Sequence, residues 1–296
     1  PLADGIDLQP LFDLMANESV LKVFHAGRQD IEILYNLAGA VPHPIFDTQL
    51  AAMVCGFGDS VGYETLVSKL LRQTLDKASR FTDWARRPLT DRQLSYALDD
   101  VIYLQDIYLK LQEQMEKSGR AHWLDEEMET LASPATYDMP PENAWKRLKV
   151  RNNNPRFLGI LQEVAAWREN EARTRDMPRN RILRDEALLE IAAHPPKKPD
   201  DLSRMRSISQ GVSSSRAGKL LFEAVARGLA LPENVLPQVD KPKSLPRGIA
   251  PLVDLLKVLL KMKCEEHDVA QKLIGNVADL EKVAAFDDAD VPIRRG

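Results

Sequence analysis

A phenol and a carboxylate stand four residues apart in Tyr96-Ala97-Leu98-Asp99-Asp100, and a second carboxylate, Asp30, follows the apolar run that closes with Phe24-His25-Ala26-Gly27. At about 100° per residue, a helix puts Tyr96 and Asp100 on one side and turns Asp99 about 100° away, toward solvent. Asp100 is therefore expected in a cleft and Asp99 outside it. Hard carboxylate oxygens hold divalent cations, and a hydroxyl beside them can aim a water at a phosphodiester. A hydrolase of that kind needs more carboxylates than these two. The remainder do not occur at matching places in the 296 residues.

The elements that would position these groups follow from the apolar pattern. Val20 to His25 reads as a buried strand closed by Gly27, and Ile31, Leu34, Tyr35 and Ala38 then recur at helical spacing as far as Gly39. Pro44-Ile45-Phe46 again runs into a helix-like stretch, Thr48 to Val54, and more helix is expected around Thr65 to Leu71. Strand, helix, strand, helix implies a parallel sheet with helical crossovers, whose sites lie beyond the carboxyl ends of the strands. His25, Asp30 and Asp47 all fall there, although a strand-end Asp is a helix cap more often than a ligand. Thr90 and Gln93 predict a capping box, followed by one helix of about five turns through Leu111 with Leu94, Ala97, Leu98, Val101 and Leu104 on its apolar face. Proline-rich stretches at 133–142 and 231–248 read as linkers. Between and after them the chain reads as helix: Phe157 to Arg168, Glu186 to Ala193, Leu220 to Ala226, Leu252 to Lys263 and Val269 to Phe286.

Charge is divided along the chain. Residues 1–140 carry 12 Lys+Arg against 22 Asp+Glu, residues 141–232 carry 18 against 11, and residues 233–296 carry 10 against 11. An acidic module followed by a basic one suits a metal-dependent phosphodiesterase joined to a nucleic-acid-binding module. No uncharged apolar run approaches membrane-spanning length, and no secretory leader is visible. Two distant cysteines, Cys55 and Cys264, make no disulfide framework. A cytoplasmic protein is expected. The start at Pro1 reads as that of a piece of a longer protein.

Taken in order, these motifs resemble ribonuclease D, of the 3′-to-5′ exonuclease superfamily that uses four acidic residues, in its tyrosine branch. Phe24-His25-Ala26-Gly27 with Asp30 is similar to the second exonuclease motif, and Tyr96-x-x-x-Asp100 to the third. Phe46-Asp47-Thr48-Gln49, Leu75-Asp76-Lys77, Thr82-Asp83-Trp84 and Arg87-Pro88-Leu89-Thr90 match in type and order. Leu158 through Trp167-Arg168, with Ala172-Arg173, resembles the helical HRDC module, and residues 249–296 resemble part of a second one. The resemblance implies an α/β exonuclease domain, ribonuclease H-like with a mixed sheet and helices, over 1–140 and incomplete at its N-terminus. All-α HRDC-like domains would follow at 141–232 and, in part, after a linker within 233–296.

The resemblance implies hydrolysis of RNA 3′ ends to nucleoside 5′-monophosphates, with tRNA precursors or other structured RNA as substrate. Two divalent cations, Mg or Mn, would be held by Asp30 and Asp100, and Tyr96 would orient the water. The family's first motif, Asp-x-Glu on a strand, has no counterpart here, so half of the carboxylate charge that would balance two cations is absent and residues 1–296 are expected to hydrolyse little or nothing. Lys77, Arg86 and Arg87 are candidates to neutralise phosphates near the cleft. Lys146, Arg147, Arg151, Arg173, Arg175, Arg179 and Arg181 are candidates to track an RNA backbone, with Trp145 and Trp167 in the core; ordinary solvated charges are the alternative for each. A monomer without membrane attachment is expected. The competing readings are a DNA 3′-to-5′ exonuclease and a non-catalytic RNA-binding scaffold; a helicase is excluded for this stretch, because Gly218-Lys219-Leu220 is no phosphate-binding loop.

Overall fold

The computed structural model describes residues 5–75, 81–138, 140–238, 245–286 and 289–294. They fall into two units, one formed by residues up to Tyr137 together with those from 245 onward, the other by the stretch between.

The first unit opens with α1 (Gln9–Ala16), β1 (Lys22–Phe24), α2 (Arg28–Ala38), β2 (Ile45–Asp47) and α3 (Thr48–Val54). The strands pair in parallel, with Lys22 opposite Ile45 and Phe24 opposite Asp47, as the strand–helix alternation predicts. Among the described residues the sheet has these two strands. Four contacts hold it. Lys22 is buried and donates from Nζ to the carbonyls of Asn17 and His43, while burial lowers its pKa. Gly27 sits where a Cβ would lie 2.5 Å from that of Phe24, so only glycine lets the chain fold back over the strand end. Gly39 closes α2 at φ 72°, its N–H donating to the Tyr35 carbonyl.

The fourth contact is Asp47. Its carboxylate is 2% exposed and accepts from four backbone N–H groups: Ala26 and Gly27 at 3.1 and 2.8 Å, and Gln49 and Leu50 at 2.7 and 3.4 Å. It caps α3 and ties the turn after β1 to the turn after β2.

Next come α4 (Tyr63–Leu66), one π-helical turn (Val67–Leu71), α5 (Asp91–Ile102), α6 (Leu104–Ser118) and α7 (Asp125–Ala132). The capping box is present: Gln93 N–H donates to Thr90 Oγ1 and Thr90 N–H to Gln93 Oε1. The single five-turn helix expected here is two helices. At Tyr103 the N–H bonds to the Val101 carbonyl, and a new ladder starts from the Tyr103 carbonyl. The apolar faces also divide. Ile107, Leu111 and Met115 of α6 are buried with Ala51, Val54, Leu66 and Val67, whereas Leu94, Leu98 and Val101 of α5 are 47–59% exposed. The expected stripe is present in sequence, but on α5 it is left largely exposed.

The second unit is helical: α8 (Pro155–Thr174), α9 (Arg179–Ile182), α10 (Asp185–Ala193), α11 (Gln210–Ser213) and α12 (Arg216–Ala230). Asn154 caps α8 through Arg156 and Phe157 N–H. Trp145 and Trp167 lie in its core, as expected, with Leu158, Leu161, Val164, Leu188 and Leu221. Gly228 allows α12 to approach α8 so closely that a Cβ would lie 2.6 Å from Ile160 Cα. Back in the first unit, α13 (Ala250–Glu266), α14 (Gln271–Ile274) and α15 (Val277–Ala285) close the chain. The expected helix from 269 to 286 is broken between Ile274 and Val277, and Asn276 caps its second half. Ala270 N–H donates to the Met53 carbonyl, which joins this segment to α3. Among the described residues no helix is long and apolar enough to cross a membrane.

Asp47→Ala leaves four N–H groups without their acceptor and should lower the stability of the first unit by about 3 kcal/mol. Chemical denaturation measures the loss. Hydrogen exchange should show it first at the amides of Ala26, Gly27 and Gln49, and unchanged protection there would refute the clamp.

Candidate active site

Beyond the carboxyl end of β1 the side chains form a relay toward α5. His25 Nδ1 lies 3.0 Å from Thr48 Oγ1, and that hydroxyl donates to the Phe24 carbonyl. Burial lowers the His25 pKa, opposed by the Asp47 charge and the Val61 carbonyl, so the ring is neutral near pH 7. Its centroid is 5.6 Å from that of Tyr63. Tyr63 in turn donates its hydroxyl to the Asp99 carbonyl at 3.1 Å, in the C-terminal turn of α5. Burial pushes its phenol up to about 12, with the Asp100 and Asp99 charges acting in the same direction. Nothing in the spacing of the sequence singles out Tyr63. Its role comes from a pairing 36 residues away.

Asp100 is exposed and Asp99 half-buried, the reverse of the expectation from helical angle. The reason is that α5 ends two residues beyond Asp100 and turns its apolar stripe outward, so the angular argument lacked the packed face it assumed. The Asp100 carboxyl is nonetheless raised above the usual carboxylate range, by burial first and then by the neighbouring charge of Asp99. Tyr96, one turn earlier, is half-buried with its ring 5.7 Å from that of Trp84. The loop carrying Trp84 is fastened by Gln93, whose Nε2 donates to Thr82 Oγ1 and to the Asp83 carbonyl. Gln93 thus caps α5 and holds the neighbour of Tyr96 at once.

Asp30 is exposed in the first turn of α2, where the helix dipole favours a negative charge. No direct contact joins it to Tyr96 or Asp100, and the described residues contain no cluster of three His, Cys, Asp or Glu able to hold a metal. Asp30, Asp99 and Asp100 form no ion pair with Lys or Arg among the described residues. Uncompensated hard oxygens are of the kind that Mg²⁺ or Mn²⁺ takes.

Of the basic candidates in this unit, Lys77 lies outside the described residues. Arg86 and Arg87 are exposed, and Arg87 Nη1 donates to the carbonyls of Trp84 and Arg86, which fixes that guanidinium in the Trp84 loop. In the helical unit Lys146, Arg147, Arg151, Arg173 and Arg181 are exposed. Arg175 pairs with Glu171, and Arg179 lies 3.7 Å from Glu169.

Comparison with known proteins follows the same division. Residues 1–116 match the 3′-5′ exonuclease family and residues 157–225 the HRDC domain. Ribonuclease D of Nitrobacter hamburgensis is 53% identical over the whole chain, which covers 77% of that relative. Ribonuclease D of Bartonella henselae is 48% identical over 96% of the chain and 70% of its own length. The crystal structure of Escherichia coli RNase D, described as an exoribonuclease involved in structured RNA processing, superposes with a TM-score of 0.79 at 31% identity, over 94% of this chain and 74% of that one. At this identity and coverage, with exonuclease and HRDC segments in the same order, the chain belongs to the ribonuclease D family.

Proposed function

We propose that this protein is a 3′-to-5′ exoribonuclease that removes nucleoside 5′-monophosphates from RNA 3′ ends, with tRNA precursors as a substrate class. The observation that carries this reading is the relay His25–Tyr63–Asp99. It links the turn before Asp30 to the helical turn that bears Asp100, one turn after Tyr96. Residues 1–140 would carry the chemistry and the basic module at 141–232 would hold the RNA.

Asp30 and Asp100 are the proposed ligands of a pair of Mg²⁺ or Mn²⁺ ions. When bound, such ions lower the pKa of an attacking water and stabilise a leaving 3′ oxygen. The Tyr96 hydroxyl can accept from and donate to the water it would orient. The tilted ring of Trp84, 5.7 Å away, limits where the Tyr96 ring can lie. Arg86, exposed in the Trp84 loop, is the proposed cation for a phosphate.

Three outcomes test this. With Mg²⁺ or Mn²⁺, residues 1–296 alone should release little or no monophosphate from a labelled oligoribonucleotide, since two carboxylates leave half of a +4 charge unbalanced; robust turnover would overturn the four-carboxylate account. In a chain that also carries the Asp-x-Glu strand, Asp30→Asn and Asp100→Asn should each abolish turnover. There, Tyr96→Phe should lower kcat by about 10²-fold with KM little changed.

A further outcome concerns pH. A carboxyl whose folded pKa lies above its unfolded value favours the folded chain most when protonated, and that contribution is lost as pH rises through the folded pKa. A cation needs the ionised form, so its affinity should fall on acidification sooner than an ordinary aspartate would dictate. Asp99→Asn removes the like charge and should move the Asp100 titration to lower pH, read by carboxyl-carbon NMR.

A further inference from the structure

Helix α5 has little packing to hold it in place. Gln93 in its first turn is its one buried residue, while Leu94, Leu98, Val101 and Ile102 are 47–59% exposed. The N-terminal end is fastened by the Thr90–Gln93 box and by Gln93 Nε2 on the loop that carries Trp84. The C-terminal end bears Asp99 and Asp100, and there the side chain of Tyr63 meets the backbone.

At that end the hydrogen-bond ladder is interrupted. In an uninterrupted α-helix the Tyr103 N–H would donate to the Asp99 carbonyl, four residues back. It goes to the Val101 carbonyl instead, and the next ladder starts where the Tyr103 carbonyl accepts from Ile107 N–H at 3.0 Å. The Asp99 carbonyl accepts from the Tyr63 hydroxyl at 3.1 Å. The Tyr103 backbone also hydrogen-bonds to the phenol, so the hydroxyl stands between the two partners of the missing bond. A side chain inserted into this ladder is a known cause of a sharp helix break. The inserted group is firmly rooted. Tyr63 opens α4, and Leu66 and Val67 just after it are fully buried with Ala51 and Ile107. Its ring also lies against His25, the centroids 5.6 Å apart. A hydroxyl anchored in this way cannot follow α5, so the end of α5 follows the hydroxyl.

We propose that the Tyr63 hydroxyl is a positioning group for the hydrolytic site: by replacing the Tyr103–Asp99 bond it ends α5 just past Asp100 and sets where that carboxylate stands relative to Asp30 and Tyr96. It touches neither substrate nor cation and acts through the backbone of Asp99. The assignment rests on the exoribonuclease reading for the reaction served; the inserted hydroxyl rests on backbone geometry alone.

Tyr63→Phe keeps the ring against His25 and deletes the inserted group. In a chain that also carries the Asp-x-Glu strand, it should lower kcat on a labelled oligoribonucleotide about tenfold with KM little changed. Mn²⁺ affinity, read by electron paramagnetic resonance without RNA, should weaken several-fold. In the 296-residue chain labelled with ¹⁵N-tyrosine, the Tyr103 amide should exchange about tenfold more slowly, because the ladder closes on Asp99 once the hydroxyl is gone. Asn276→Ala, which removes the cap of α15, is the stability control. It should lower the melting temperature at least as much as Tyr63→Phe and leave kcat and Mn²⁺ affinity unchanged. Unchanged kcat and Mn²⁺ affinity in Tyr63→Phe would overturn the positioning role, whatever the Tyr103 amide does. A Tyr103 amide that exchanges as before would overturn the inserted bond. An equal loss of kcat in Asn276→Ala would overturn the proposal by assigning the effect to general destabilisation. If the unaltered protein binds Mn²⁺ but hydrolyses no RNA, the exoribonuclease reading fails, and the Mn²⁺ affinity of Tyr63→Phe still decides the role of the hydroxyl.

Discussion

One carboxylate organises the catalytic end of the first unit. Asp47 accepts four backbone N–H groups from two separate turns and is almost wholly buried. A buried charge is tolerable only when its hydrogen-bonding capacity is filled, and here backbone donors fill it without any cation. The consequence is geometric. The turns after β1 and β2 cannot separate, so His25, Gly27 and the first turn of α2 hold their places relative to Thr48. Asp30 owes its position to a neighbouring aspartate that does no chemistry.

The second constraint runs through Tyr63. Its ring meets His25 and its hydroxyl meets the Asp99 carbonyl. One side chain thus joins an edge of the sheet to the far turn of α5. Because the accepting atom is a backbone carbonyl, the Asp99 and Asp100 carboxylates stay free of it. They repel each other, which adds to the burial that chiefly raises the Asp100 carboxyl. That repulsion is what a cation would relieve. It gives the site a preference for positive charge before any ligand arrives, in keeping with a family whose members hydrolyse phosphodiesters.

Local signals carried well from sequence to structure. Thr90 and Gln93 announce a helix start because both hydrogen bonds close within four residues, and strand-then-helix at 20–38 and 44–54 announces parallel pairing because crossovers permit little else. The break at Tyr103 was not legible: Leu94 to Leu111 keeps one helical period, and the interruption changes the hydrogen bonding without changing the pattern. The relative exposure of Asp99 and Asp100 failed for a related reason. Angle on a helix says which residues share a face, but burial depends on what lies opposite, and the stripe of Leu94, Leu98 and Val101 faces outward. Tyr63, Trp84 and the clamp role of Asp47 are partnerships across the chain, which residue types alone do not display.

Charge counting in the helical unit meets the same limit, and it bears on where RNA can bind. Eleven Lys+Arg lie between Lys146 and Arg184, against four Asp+Glu. Arg168, however, is 2% exposed, its Nη1 donating to the Leu183 carbonyl and to Asp185. Arg156 reaches from α8 to the carbonyls of Gly228, Leu229 and Leu231, where it closes the C-terminal end of α12. These two arginines assemble the fold, and each would leave unpaired polar groups behind if it turned to a phosphate. A basic stretch therefore overstates the cations available to a ligand. The surface that can receive RNA has to be read from which guanidiniums the interior has not already engaged, and on that criterion Arg156 and Arg168 drop out of the stretch.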